Sequence, residues 1–321
     1  MTTLICLEKF SDWLEASSIF HYFKNINKVR IIYIENARNN RNAVENLFGN
    51  YKGTIAFSYK GMDDREAFFK CIAEEMQELN KGDVLAAPFI RYRNIWTCVS
   101  EARKRGIITV HLSESLPDSF GRLGYRLGFR LVGGFNIKGL LKQLISIPIM
   151  YVFARKNEPD ICFYNMADYL PNPFVKTTIK AYVPMVDSKK KAFLKSLVGE
   201  EKRPLLISGF GYNLEKMVKH LNVEKYIATS KDKEIIIDGK AYPLDEFICA
   251  EEVLLSGCAN RIIGYNSTAM CWAMMLGNIN IECYESRKLS QLYGFLNGYL
   301  SRKTLRKCNV TMLPECKEMV D

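Results

Sequence analysis

Short apolar runs alternate with longer amphipathic stretches along most of the chain, and that alternation predicts strands separated by helices. In the first half, 4–7, 29–35, 54–59, 83–88, 106–112 and 160–164 read as strands. Between them, 11–25, 39–48, 63–80 and 94–104 read as helices. The clearest is 63–80, where Phe68, Phe69, Ile72 and Met76 share a face behind Asp63 and Asp64. The second half repeats the scheme. A strand from Pro204 runs into a Gly209-Phe-Gly211 loop and a helix at 214–221. Residues 225–229 read as a strand and 235–239 as a strand or hairpin. A helix opens at Ala250, and strands at 261–265 and 278–284 flank a further helix. Strands and helices at this spacing predict parallel, doubly wound α/β sheets. Pro171, Pro173 and Pro184 sit in a stretch with little periodicity. The expected division is therefore a domain over 1–170, a linker over 171–200 and a domain over 201–321.

The stretch Arg261 to Leu276 carries the sharpest chemical signal. Ile262 and Ile263 are β-branched strand residues, and Gly264 marks a bend or a close approach. Asn266 and Ser267 are N-cap residues before an apolar, helix-forming run. The first turn of a helix has unused N–H groups and the positive end of the dipole. Asn266, Ser267 and Thr268 beside those groups make a cradle for a phosphate. The plain alternative is that Ser267 merely caps a core helix. Gly209 and Gly211 alone are a weak signal, but they follow a strand and precede a helix, as a nucleotide loop does.

Composition narrows the classes. The chain has 321 residues with 48% hydrophobic residues, enough for two α/β domains. No apolar run reaches the ~18 residues of a membrane span, and the first residues look like a strand, not a signal peptide. Ten cysteines without a C-x-x-C pair read as buried thiols of a reducing cytoplasm. With three histidines, at 21, 111 and 220, no metal centre is expected. The net charge of +10 favours an anionic partner.

Two places in the first half respond to that charge and to the α/β scheme. Glu114 and Asp118 follow the predicted fifth strand, and ligands of open α/β sheets bind outside the carboxyl ends of strands. A carboxylate there serves as general base toward an acceptor hydroxyl, or is only a solvated loop acid or helix cap. Residues 119–157 contain no acid, and Arg122, Arg126 and Arg130 share one face if that part is helical. A basic apolar face on anionic lipid fits them, as does a solvated edge of the fold. No RNP, KH or helix-turn-helix pattern accompanies the charge, so nucleic acid is not an expected partner.

The layout resembles GT-B glycosyltransferases, and most of all the bacterial sialyltransferase and polysialyltransferase-like families. The similarity rests on Ala250-Glu251-Glu252-Val253 followed by Ile262-Ile-Gly-Tyr-Asn266-Ser267-Thr268-Ala269. It implies two Rossmann-type domains facing a central cleft that holds both substrates. By that resemblance Glu251 or Glu252 contacts the nucleotide, and Ser267 and Thr268 hold the donor phosphate. The middle acid of Ser113-Glu114-Ser115 stands where those families carry their catalytic base. The implied activity is metal-independent, inverting transfer from a CMP-activated sugar to a surface polysaccharide or lipooligosaccharide. Such a protein uses no cofactor besides the donor and works in the cytoplasm, peripherally on the inner face of the cell membrane. The His-Pro motif of those families is missing, and Lys231 and Lys233 are the cations in the corresponding region. Two alternatives stand beside this reading. One is a transferase using another nucleotide sugar, such as UDP-glucose. The other is a non-catalytic nucleotide- or lipid-binding partner of a capsule assembly complex.

Overall fold

A computed structural model describes residues 1–89, 93–113, 152, 155–165, 167–168, 175–208, 212–229, 233–265, 267–284, 302–314 and 316–319. The described chain falls into two compact units that part between Pro184 and Met185. The stretch 171–200 therefore holds a strand of the first unit and a helix of the second.

The first unit runs β1 (Thr2–Leu7), α1 (Asp12–Tyr22), β2 (Lys28–Ile34), α2 (Arg41–Leu47), β3 (Ala56–Met62), α3 (Arg65–Met76), β4 (Val84–Ala87), α4 (Arg93–Lys104), β5 (Ile108–His111), β6 (Ile161–Tyr164) and β7 (Thr177–Lys180). Its sheet has the order β3-β2-β1-β4-β5-β6-β7, and every neighbouring pair is parallel. The central strands are covered on both faces, so β4 is buried at every position and reads as an unbroken apolar run. Helix starts follow the polar punctuation of the sequence. Asn40 caps α2 through Ala43 N at 3.0 Å, and Asp64 caps α3 through Ala67 N at 2.8 Å.

The second unit runs α5 (Ser188–Val198), β8 (Arg203–Ile207), α6 (Leu214–Leu221), β9 (Ile227–Thr229), β10 (Glu234–Ile237), β11 (Lys240–Pro243), α7 (Ala250–Leu255), β12 (Ala259–Tyr265), α8 (Thr268–Leu276), β13 (Asn280–Tyr284), α9 (Arg302–Lys307) and β14 (Val310–Leu313). The sheet order is β11-β10-β9-β8-β12-β13-β14. It is parallel from β9 to β14, while β10 runs antiparallel to both β9 and β11. The strand or hairpin expected over 235–239 is thus the first arm of an antiparallel edge. Helix α8 is apolar all round and buried from Ala269 to Met274, as its sequence requires. Leu206, Met217, Ala228, Ile263 and Met319 close a core cluster with Tyr212, Tyr226 and Tyr284.

All ten cysteines are free thiols; nine are buried and Cys316 is half-buried. Among the described residues, no helix is long and apolar enough to cross a membrane.

Candidate functional site

Both sheets reverse their strand order at a definable point. In the second, β9 lies on one side of β8 and β12 on the other, so the switch falls between β8 and β12. Open α/β sheets bind ligands outside the carboxyl ends of strands at such a point. The loop that follows β8 contains Gly209 and Gly211, and the loop that follows β12 contains Asn266; these three residues lie outside the described ones. Ser267 and Thr268 are described, and they open α8 at this point.

Gly264 sets the spacing of the two strands. It pairs with Ile207 across β12 and β8 and has φ +148°. A Cβ there would stand 2.4 Å from the Ile207 carbonyl oxygen. The close approach foreshadowed by this glycine is therefore that of a neighbouring strand.

Ser267 adopts extended backbone geometry, and its Oγ accepts from Ala269 N at 3.2 Å. That contact occupies one lone pair and leaves the hydroxyl hydrogen to donate. The Thr268 hydroxyl donates to Glu251 Oε1. Glu251, 5% exposed, thus ties the start of α7 to the start of α8. The neighbouring acid has a different task. Glu252 Oε2 accepts from Cys249 N at 2.9 Å and caps α7, while Oε1 accepts from Lys190 Nζ at 3.0 Å. Lys190 also donates to the Phe247 carbonyl at 3.1 Å. Burial works against the Lys190 charge, but Glu252 together with Cys249 and Glu246 outweighs it and holds the ammonium pKa above its ordinary value. Both oxygens of Glu252 are engaged inside the protein, so Glu251 is the acid at the Ser-Thr turn.

In the first sheet the switch lies between β1 and β4. Buried polar groups gather around the loop from β1 to α1. Asp12 Oδ2 accepts from Glu8 N and Lys9 N, both at 3.0 Å. Arg65 bridges to Glu8 at 2.7 Å. Glu15, on the next turn of α1, accepts from Ser113 N at 2.7 Å and from Ser113 Oγ at 3.0 Å. A buried carboxylate therefore anchors the residue that immediately precedes Glu114. At the carboxyl end of β6 stands Asn165, 1% exposed, with neither amide atom hydrogen-bonded. Glu8, Glu15 and Asn165 were not singled out by sequence, because an isolated polar residue at a strand end or in the first turn of a helix looks like any surface residue.

Glu114, Asp118, Arg122, Arg126, Arg130 and Lys231 lie outside the described residues. The Lys233 ammonium donates to the Asp245 carbonyl at 3.3 Å.

Two parallel-dominated seven-stranded sheets of Rossmann type, in sequence order, define a GT-B-like α/β fold. A solved structure of similar fold aligns with a TM-score of 0.50 and 9% identity, covering 99% of this chain and 86% of the other. That structure is a complex between a UDP-glucosyltransferase from Polygonum tinctorium capable of glucosylating indoxyl and 3,4-dichloroaniline. No protein-family model and no curated protein matches the sequence.

Proposed function

We propose that the protein is a glycosyltransferase with a nucleotide-sugar donor on its second unit and a glycan or glycolipid acceptor on its first. The observation that carries this reading is the opening of α8 at the switch point of the second sheet. There Ser267 keeps a hydroxyl hydrogen to donate, and Thr268 is oriented by buried Glu251. A helix N-terminus with the Ser267 hydroxyl hydrogen beside it suits the phosphates of a nucleotide sugar, while the Thr268 hydrogen is spent on Glu251.

For the donor, a uridine-diphosphate sugar is favoured over CMP-sialic acid. The neighbour of similar fold is a UDP-glucosyltransferase, and the sequence lacks the His-Pro motif of the sialyltransferase-like families. Glu114 is the proposed base, removing a proton from the acceptor hydroxyl, with Asp118 as the alternative. Glu15 is a positioning residue that acts through Ser113. The basic stretch after Asp118 is proposed to hold the protein on anionic membrane, where such acceptors are found.

Melting curves with UDP, UDP-glucose, CMP, CMP-sialic acid and GDP test the reading, because a ligand of the native state raises the midpoint. The expected result is stabilisation by UDP and UDP-glucose. Changing Ser267→Ala with Thr268→Ala should then weaken UDP binding by about 1–3 kcal/mol, the scale of hydrogen bonds to a charged group. Unchanged affinity in the folded double variant reduces the motif to a helix cap. A response to CMP and CMP-sialic acid alone restores the sialyltransferase donor. No response to any nucleotide favours the non-catalytic reading.

A further inference from the structure

We infer that His220, Cys316 and Glu318 form a binding site for a divalent d-block cation, zinc foremost, independent of the proposed transfer reaction. Counting three histidines argues against a metal centre, but a count does not show which residues meet. His220 lies in the last turn of α6, and the other two lie on the C-terminal turn, 96 and 98 residues away in sequence. One ligand atom from each lies within 4.8 Å of the others.

Cys316 Sγ is 3.7 Å from His220 Nδ1 and 3.5 Å from Nε2. Being nearly equidistant from both nitrogens, it lies on the lone-pair axis of neither. Nδ1 instead faces the Glu318 carboxylate, whose Oε2 is 2.7 Å from it. A proton on Nδ1 satisfies the carboxylate and leaves the sulfur at a distance. A tetrahedral zinc, with Zn–S about 2.3 Å and Zn–N about 2.0 Å, sets sulfur and nitrogen about 3.6 Å apart. The sulfur stands near that spacing from Nδ1 but is as close to Nε2, so metal binding turns the exposed His220 ring to aim the Nδ1 lone pair between sulfur and carboxylate. The carboxylate withdraws to about 3.3 Å from Nδ1, the separation of two such ligands on one zinc.

Binding forms Zn–S, Zn–Nδ1 and Zn–O bonds. The Cys316 thiol proton leaves to solvent, neutral His220 keeps its proton on Nε2, and a water completes the fourth position. Thiolate and imidazole select zinc over magnesium or calcium, which prefer oxygen.

The structure also gives the clip something to hold. Asn213 N, at the start of α6, donates to the Met319 carbonyl at 2.9 Å. Met319 is fully buried against Met217 of the same helix. A metal bridging this helix and turn restricts a long loop in the unfolded chain, where cross-links act most strongly.

The test uses the full chain, tag removed and thiols reduced, titrated with Zn²⁺ and Co²⁺. Expected are one zinc per chain, a cobalt–thiolate charge-transfer band and a raised melting midpoint. Cys316→Ser should abolish the band and the shift. Cys316→Ser and His220→Gln should each weaken zinc binding by at least about tenfold, since even outer-shell partners contribute that much. Melting in chelator checks that the variants fold; Cys316 is half-buried, so Cys316→Ser decides if His220→Gln does not. Substoichiometric zinc, a missing cobalt band, wild-type affinity in Cys316→Ser, or equal stabilisation by Mg²⁺ overturns the site.

Discussion

Gly264 and Lys190 show how one position carries consequences beyond its own element. At Gly264 a methyl group meets the Ile207 carbonyl at 2.4 Å, and φ is +148°. Gly264→Ala should therefore cost about 2–4 kcal/mol through overpacking and backbone strain, read as a lower denaturation midpoint. Wild-type stability in that variant would mean that β12 shifts freely against β8. Lys190 stands between exposed Lys189 and Lys191, yet it is the one that reaches Glu252 in the interior. Removing one partner of a buried pair leaves the other charge uncompensated, so Lys190→Met should cost about 3–5 kcal/mol. Adding Glu252→Gln, which can still accept from Cys249 N, should recover part of that loss. The sign with pH follows from the raised Lys190 pKa. Its contribution is complete below the pKa of lysine in the unfolded chain and fades as pH rises through the higher folded value. The stability gap between wild type and Lys190→Met should close at strongly alkaline pH. A constant gap would show that the alkyl packing of Lys190, and not its charge, is what matters.

At the scale of elements, α1 connects the first sheet to the proposed base. Glu15 receives both the backbone and the side chain of Ser113. Glu15→Gln keeps the shape but loses the charge that strengthens both bonds. If transfer is established, this change should lower kcat on the order of 10–100-fold by misplacing Glu114, with nucleotide affinity unchanged. An equal fall in nucleotide affinity would assign Glu15 to general stability. Most elements were legible in the sequence because core strands and amphipathic helices carry their burial in their periodicity. The exceptions share a cause. β7 and β11 are edge strands exposed or half-buried throughout, so Thr177–Lys180 and Lys240–Pro243 carry no apolar signature. β14, also at an edge, follows the basic helix Arg302–Lys307, and the charge of that segment hides the strand. The resemblance named Glu251 or Glu252 as the acid that contacts the nucleotide. Choosing between them required seeing that Lys190 and the α7 cap use both oxygens of Glu252.

For the whole molecule, a net charge of +10 predicts an anionic partner. Anionic vesicles should bind the protein, and added salt should release it. Changing Arg122, Arg126 and Arg130 together to Gln should weaken cosedimentation with anionic vesicles. Equal binding to neutral vesicles would remove the electrostatic account. The sequence alone determined two α/β halves, the order of most strands and helices, and the turn at Ser267. Those follow from periodicity and capping, which act over a few residues. Tertiary structure alone decided where each sheet reverses its strand order, which lysine of a run of three is buried, and that His220 meets Cys316 and Glu318. These depend on contacts between residues far apart in the chain, and no local pattern encodes which distant partners the folded backbone brings together.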